Sequence, residues 1–167
     1  MTSNFYGKFR GVVTDIQDPE QIGRIRARVA DVMGGLESGW AMPAFPFAGS
    51  GMGFFALPKV GAGVWIEFEH GDPEYPIWSG CWYGSRAEVP PPLLLALPGK
   101  KVLLKTEGGH SIILDDTPGI GGITLETSSG QKIVLSAQGV EITTGQGGTI
   151  KMTGPQVSIN NGALEVI

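Results

Sequence analysis

The 167-residue chain has little cysteine, little charge and no long apolar run. Its one cysteine, Cys81, excludes an internal disulfide and a zinc site built from several cysteines. We expect this thiol to be buried and structural between Trp78 and Trp82, because no base lies close to it in sequence. The longest aliphatic run, residues 93–97, is far shorter than the ~20 residues that a membrane helix needs. Residues 1–4 lack the basic and apolar regions of a signal peptide, so we expect a soluble product made in the cytoplasm without a leader.

The charge of the chain argues against general nucleic-acid binding. Only 17% of the residues are charged, and the net charge is -4. Residues 1–83 carry six Lys/Arg and nine Asp/Glu, and residues 99–167 carry five and six. Neither part therefore has the basic surplus that binding to a phosphate backbone needs.

What the chain does contain is a repeated short unit that runs from residue 100 to the end. Each copy is an apolar residue, a polar or small residue and a second apolar residue, followed by a turn rich in Gly, Ser, Thr or Asn. The copies are residues 102–104, 112–114, 123–125, 133–135, 140–142, 150–152, 157–159 and 164–166. Because side chains alternate across a strand, each copy sends both apolar residues to one face. Such a repeat indicates a stack in which each unit buries its apolar face against its neighbours.

We expect one chain of this repeat to be unstable alone. Each strand buries about two apolar side chains at ~1.5–3 kcal/mol each, whereas ordering costs ~1.5 kcal/mol for every residue that is fixed. Over units of seven to ten residues the cost of ordering exceeds the gain from burial, and each strand of an isolated chain is expected to leave two open edges. Partner chains must then supply the difference. A single-chain β-helix is the alternative, but it usually needs longer coils and a cap.

The first half of the chain predicts a small β-barrel. Residues 22–29 alternate strictly, with arginines on one side and apolar residues on the other, and residues 64–69 repeat this alternation with Val, Ile and Phe facing inward. Weaker strand patterns cover residues 5–16, 53–57 and 77–83. About five short strands in about eighty residues favour a closed barrel, which removes exposed strand edges. The glycine-rich residues 49–53 are expected to form a flexible loop, and residues 31–36 a single helical turn.

Several segments of the chain carry a family resemblance. The run FFALPKVGAGVWIEFEHGDPEYPIWSG, residues 54–80, resembles the oligonucleotide/oligosaccharide-binding (OB) barrel of contractile-tail spike proteins. That family includes phage baseplate assembly protein V and the type VI secretion spikes. Residues 6–13 and 23–29 are similar to its entry strands, and residues 109–117 are similar to the start of its spike.

The resemblance implies an all-β fold in two parts. Residues 1–83 would form an N-terminal OB-fold barrel, residues 84–98 a stiff, extended Pro-rich linker, and residues 99–167 a C-terminal β-helical spike. In the family, three identical chains intertwine in the spike as a triangular β-helix, or β-prism, with apolar residues on its axis. The residues predicted for this trimer core are Ile112, Leu114, Ile123, Leu125, Ile133, Leu135, Val140, Ile142, Ile150, Met152, Val157, Ile159, Leu164 and Val166.

The resemblance also implies a structural role in a contractile injection machine. The homotrimer would pierce the target envelope mechanically, without catalysis, metal or cofactor, as part of a phage tail baseplate, a secretion system or an extracellular particle. No hub sequence precedes residue 1, so a separate hub protein is expected at the N-terminal domain. The row Arg24, Arg26 and Arg28 is the candidate hub contact, although a solvated strand face explains it equally well.

The end of the repeat predicts a further partner. Self-sharpened members of the family end in a His-x-His motif that binds iron, and the two histidines here, His70 and His110, lie far from the end. The last units present apolar residues and unpaired strand edges, which predicts a cap formed by a PAAR-repeat tip protein. The residues predicted to bind it are Gly162, Ala163, Leu164, Glu165, Val166 and Ile167.

Other functions remain as alternatives. The first is an OB-fold module that binds carbohydrate or single-stranded nucleic acid, carried on a trimeric β-stalk. The second is a β-helical polysaccharide lyase, which would need longer coils and a charged cleft. Three groups have residue types that could support chemistry, namely Asp115 with Asp116, His110 with Ser111 and Asp115, and the cluster His70, Asp72 and Glu74. A turn explains the first more simply and a hairpin the third, and the second has its residues close in sequence with no nucleophile elbow around Ser111.

Overall fold

The computed structural model describes residues 4–96 and 98–166. The chain divides into two compact units, residues 1–88 and residues 89–167. No helix in the described part of the chain is long and apolar enough to span a bilayer.

Within residues 4–88, the described part of the first unit, there are seven strands, one short α-helix and two 3-10 turns. The strands are β1 (Phe9–Asp15), β2 (Arg26–Arg28), β3 (Met42–Pro43), β4 (Ala48–Gly49), β5 (Met52–Gly53), β6 (Gly63–Phe68) and β7 (Pro76–Trp82). The helix is α1 (Ala30–Met33), and the 3-10 turns are Glu69–Gly71 and Arg86–Glu88.

Five of these strands close into a barrel. The sheet order is β2-β1-β6-β7-β3, and only the β3–β7 pair is parallel. Next to its two edge strands, β2 and β3, a single bridge joins Ile25 to Ala41 and completes the ring, and a second bridge joins Arg28 of β2 to Glu37 in the loop before β3. The OB-fold prediction is thereby confirmed, and the ring leaves β4 and β5 outside as a separate two-stranded sheet.

Six of the nine described barrel-core residues are ones that the alternation placed inside. Fully buried or nearly so are Val13, Ile25, Ala27, Val29, Ala41, Val64, Ile66, Phe68 and Trp78. The inward positions predicted for residues 25–29 and 64–68 are therefore confirmed. Each large apolar side chain buried in this way contributes ~1.5–3 kcal/mol to the stability of the barrel.

Two local predictions in the barrel were wrong. Cys81 is exposed, not buried, because β7 carries one extra residue: Val64 pairs with Cys81 whereas Ile66 pairs with Trp78. A bulge of this kind reverses which side chains point inward. The loop expected at residues 49–53 is an ordered hairpin, in which Ala48 pairs with Gly53 and Gly49 with Met52.

The second unit is a sheet of eight strands preceded by a short helix. The elements are α2 (Pro91–Leu94), β8 (Lys101–Lys105), β9 (Ser111–Asp115), β10 (Gly122–Glu126), β11 (Lys132–Ser136), β12 (Gly139–Thr143), β13 (Thr149–Thr153), β14 (Gln156–Ile159) and β15 (Leu164–Val166). Residues 84–98, expected to be an extended linker, contain helical turns at Arg86–Glu88 and Pro91–Leu94. Proline at the first helical position suits such a turn because its missing N–H is not needed there.

The eight strands form an antiparallel meander in which each strand pairs with its neighbours in sequence. The expectation that every strand of one chain leaves two open edges was therefore wrong. Only β8 and β15 lie at the edges of the described sheet. The chain satisfies most of its own ladder hydrogen bonds, so any need for partner chains comes from the faces of the sheet.

Candidate functional site: surfaces for assembly

One face of the eight-stranded sheet is apolar and exposed. Nine of the predicted trimer-core residues present large side chains to solvent: Ile112, Leu114, Ile123, Leu125, Ile133, Leu135, Ile150, Met152 and Leu164. Val140, Ile142, Val157 and Ile159 are half-buried, and Val166 lies opposite Val157 in the strand register. The face also forms an apolar trough of about 550 Å³, whose lining includes Leu104, Ile112, Leu125, Ile133 and Ile142. Contiguous apolar surface of this kind marks a protein interface.

The opposite face carries three cross-strand ion pairs, spaced one hairpin apart. Lys101 Nζ lies 3.0 Å from Asp115 Oδ2, Lys132 Nζ 3.3 Å from Glu126 Oε1, and Lys151 Nζ 3.2 Å from Glu141 Oε1. Each pair joins residues that are directly opposite in the strand register. These pairs disfavour a one-residue slip, which would move every charge onto the apolar face.

The hairpin turns repeat a motif that the strand repeat did not reveal. In three turns a threonine hydroxyl accepts a hydrogen bond of 3.1 Å from the backbone N–H four residues later, from Thr106 to His110, Thr127 to Gln131 and Thr144 to Gly148. Three residues after each threonine is a glycine with positive φ: Gly109 at 93°, Gly130 at 88° and Gly147 at 99°. The spacing Thr-x-x-Gly was the available sequence signal. The structural repeat is therefore a two-strand hairpin.

The arginine row lies on the barrel, and two of its members are occupied within the chain. The Arg24 guanidinium lies 2.7 Å from Asp18 Oδ1 and 3.1 Å from Glu20 Oε1. Arg26 pairs with Glu37 at 3.1 Å and lies over the ring of Trp40, 4.7 Å from its centroid. Arg28 is exposed, and the ion pairs of the described residues do not include it. Sequence alone did not identify these partners because Asp18, Glu37 and Trp40 lie 6 to 16 residues from the arginines that they contact.

The Asp18 carboxylate stabilises the turn between β1 and β2 by hydrogen bonds. Its carboxylate accepts hydrogen bonds from the Arg24 side chain and from the backbone N–H groups of Glu20, Ile22 and Arg24. The hydrogen bonds from Arg24 hold the pKa of Asp18 well below its usual value, and only desolvation opposes them. Because the folded pKa is depressed, this stabilisation is present above about pH 4 and is lost as the pH falls through the folded pKa.

A second polar-aromatic cluster lies on the outer surface of the barrel, and sequence reasoning missed it. Arg10 lies 5.9 Å from the ring centroid of Trp65 and 5.4 Å from that of Trp82. Trp82 covers Gly63, where an added Cβ would lie 2.6 Å from the indole, and donates its ring N–H to the Val64 carbonyl at 3.1 Å. The cluster results from strand register, since Arg10 pairs with Trp65 and Gly63 with Trp82.

The side chains with catalytic or metal-binding chemistry have structural contacts. His110 Nδ1 accepts a hydrogen bond from the Ser128 N–H at 3.3 Å. Asp115 pairs with Lys101 and accepts hydrogen bonds from Thr117, whose side chain is the main cause of a lowered pKa at Asp115. The Asp72 carboxylate accepts a hydrogen bond of 3.0 Å from the Glu74 backbone N–H. In the preceding turn, His70 has a φ of 52°. Across residues 4–96 and 98–166, no three His, Cys, Asp or Glu side chains are grouped so as to hold a metal ion.

Comparison with known proteins identifies both units. Residues 9–83 match the family model of the type VI secretion system/phage-baseplate injector OB domain. Residues 101–165 match that of the phage baseplate V C-terminal trimerisation domain.

Individual proteins that resemble the chain include three large proteins of two bacteria. The type VI secretion system spike protein VgrG5 of Pseudomonas aeruginosa is 32% identical over 125 residues, 70% of this chain and 14% of that protein. The actin cross-linking toxin VgrG1 of Vibrio cholerae is 34% identical over 100 residues, 59% of this chain and 8% of the toxin. The spike protein VgrG4b of P. aeruginosa is 42% identical over 51 residues, 30% of this chain and 6% of that protein. The chain thus spans only a small part of the length of these relatives.

Proposed function

The chain belongs to the phage baseplate V family, whose OB domain and trimerisation domain it carries in order, and we propose that it is the central spike of a contractile injection machine. The machine is a phage tail or a related particle. The spike is a homotrimer that attaches to a separate hub protein and pierces the target envelope. It works mechanically, and no bond is made or broken.

The exposed apolar face of the second unit is the observation that supports this proposal most directly. An isolated chain leaves Ile112, Leu125 and Ile133 partly in water on one continuous face, while the charged pairs occupy the other face. Three copies that turn this face towards a common axis bury it and keep the ion pairs in solvent. Covering the part of each such side chain that a single chain leaves exposed contributes a fraction of the ~1.5–3 kcal/mol of full burial, summed over more than ten positions per chain.

Mechanical strength follows from the hydrogen-bonded ladders. Antiparallel pairing runs without interruption from β8 to β15, so a force along the stack of strands must break several ladder bonds together. The three ion pairs resist register slip under the same load. This arrangement suits a part that transmits force and has no need of a substrate site.

The hub contact proposed here is the arginine row of the barrel. Arg28 is the member with a free guanidinium, whereas Arg24 and Arg26 are held by carboxylates of their own chain. An acidic surface on the hub would therefore meet Arg28 first. Co-purification tests the proposed function as a whole: tail tube and sheath should be recovered with the tagged chain from producing cells, and a chain recovered without them contradicts the spike assignment.

The tip contact proposed here is the edge strand β15. Leu164 is 56% exposed, and β15 has a pairing partner on one side only, in β14. A PAAR-repeat tip protein would continue the backbone pairing there and cover Leu164. Of the six residues predicted for this contact, Ile167 lies outside the described residues.

Deletion of residues 162–167 is expected to abolish binding of the tip protein and to leave the trimer intact. The remaining seven strands keep the apolar face, and only the surface offered to the cap is lost. Pull-down of a co-expressed tip protein measures the first effect, and light scattering measures the second. A variant with the same six residues replaced by a Gly-Ser sequence controls for chain length. Undiminished capture of the tip protein by either variant contradicts the proposal.

A further inference from the structure

The hairpin between β3 and β6 is an exposed, uncharged projection of the barrel unit. Residues 41–58 contain no charged residue. Within them β4 and β5 form a separate two-stranded sheet, and residues 46–55 are named the arm here. Phe47, Met52 and Phe55 of the arm are 54%, 66% and 62% exposed. A two-stranded hairpin is only marginally stable alone, and clustered apolar exposure marks a contact surface.

The base of the arm is fixed to the barrel core. The Phe45 ring meets Trp78 edge-on at 5.5 Å and Phe55 at 5.3 Å between centroids. Trp78 donates its ring N–H to the Gly23 carbonyl at 3.0 Å, and an added Cβ at Gly23 would lie 2.8 Å from the Phe45 ring. The arm is therefore held in a defined position before it meets a partner, which lowers the entropy lost on docking.

The same unit has an open groove, and Trp82 of the Arg10–Trp65–Trp82 cluster is part of its lining. Lys59, Gly63, Cys81, Tyr83 and Glu88 also line it. Tyr83 is 59% exposed, and Val60, which follows Lys59 in sequence, is 55% exposed. Tryptophan, tyrosine and arginine are the residues that most often dominate binding energy at protein interfaces. The Arg10 guanidinium contacts the two indole rings. Among the described residues, no carboxylate forms an ion pair with it.

A second copy of this chain is the occupant that these features favour. The inference rests on the homotrimer of the proposed function. Residues 84–100 join the two matched domains, and a chain of that length spans at most about 60 Å. Trimerisation of the second units thus keeps three barrel units at an effective concentration on the order of millimolar. Even a weak contact forms under those conditions. Because the arm is uncharged, its partner surface does not need to carry an opposite charge.

We propose that the arm of each chain docks in the groove of the next chain of the trimer. The arm and the groove are different patches of one unit, so the contact is heterologous, and three such contacts close a ring. Phe47, Met52 and Phe55 would be covered by Trp82 and Tyr83 of the neighbour. The barrels then form an interface of their own, in addition to the one formed by the sheets.

Cys81 makes the contact directly testable, because it is the only cysteine and lines the groove. The variant Met52→Cys places a second thiol on the arm. We expect mild oxidation to convert most of this variant into a covalent trimer on a denaturing, non-reducing gel. Met52→Cys combined with Cys81→Ser should give no covalent trimer. Tyr75→Cys, with a thiol at a similarly exposed site (58%) outside the arm, is the matched control and should give none.

The mass in solution, measured on the same samples by light scattering, separates the possible failures. An intact trimer without cross-links, in Met52→Cys and in the second arm variant Ser50→Cys, overturns the arm contact and leaves the spike function standing. Cross-links within single chains, or equal cross-linking by Tyr75→Cys, also overturn it. A wild-type chain that is monomeric overturns both this inference and the proposed function.

Discussion

Replacement of Ile133 by aspartate is expected to dissociate the trimer into monomers. Ile133 lies in the trough of the apolar face and pairs with Leu125 and Ile142 in the strand register. The change removes ~1.5–3 kcal/mol of apolar burial and adds a carboxylate whose desolvation costs several kcal/mol. A loss of ~4 kcal/mol for each of the three chains is ~12 kcal/mol per trimer, which raises the overall dissociation constant of the trimer on the order of 10⁸-fold. Light scattering should then give a mass near the 17.6 kDa of one chain.

Thr153→Asp is the matched control for this change. Thr153 is an exposed, neutral residue of the same sheet and lies on the opposite face from Met152. The added charge is the same, but it stays in solvent, so the control should remain trimeric. A trimeric Ile133→Asp, or equal dissociation of the control, would show that the apolar face is not the trimer interface.

Replacement of Arg24 by glutamate is expected to destabilise the barrel strongly. The Asp18 side chain is only 3% exposed, and the Arg24 guanidinium is its cationic partner. The variant leaves this carboxylate without that partner and brings a second carboxylate beside it, which is the costliest way to break a buried pair. We expect the melting temperature of the barrel, followed by near-UV circular dichroism, to fall by ~10 °C or more.

Arg28→Glu makes the same charge change at an exposed position four residues further along the chain, at the end of β2. It should leave the melting temperature within ~2 °C of the wild type and weaken binding to the hub protein. Equal melting losses in the two variants would contradict the structural role of Arg24. If hub binding by Arg28→Glu is unchanged, the row is a solvated strand face and has no role in the hub contact.

The features that depend on side-chain alternation were predictable from the sequence. The inward residues Ile25, Ala27 and Val29 and the eight strands of the second unit follow from a period of two, because burial of one face is the dominant energy term. The separation of apolar and charged faces follows from the same rule. The family resemblance added the barrel topology, which alternation alone does not determine.

The features that depend on pairing between distant residues were not predictable. The bulge in β7 that exposes Cys81 is invisible until the register with β6 is known. The engagement of Arg24 by Asp18 and of Arg26 by Trp40 required the fold of the loops between β1 and β3. The glycines of residues 49–53 predict a flexible loop, whereas these residues belong to an ordered hairpin whose base is held by the packing of Phe45 on Trp78.

The hairpin repeat marked by the three Thr-x-x-Gly turns sets a rule for how this sheet can change in length. Adjacent strands of a sheet are spaced ~4.8 Å apart, so one hairpin adds about 10 Å. Insertion or loss of a whole hairpin preserves the direction of the next strand, the side of the next turn and the pairing of its oppositely charged residues. Insertion or loss of a single strand reverses the direction and the side, and it disrupts the charge pairing. A change that keeps this pattern therefore lengthens or shortens the sheet in steps of one hairpin, about 10 Å at a time.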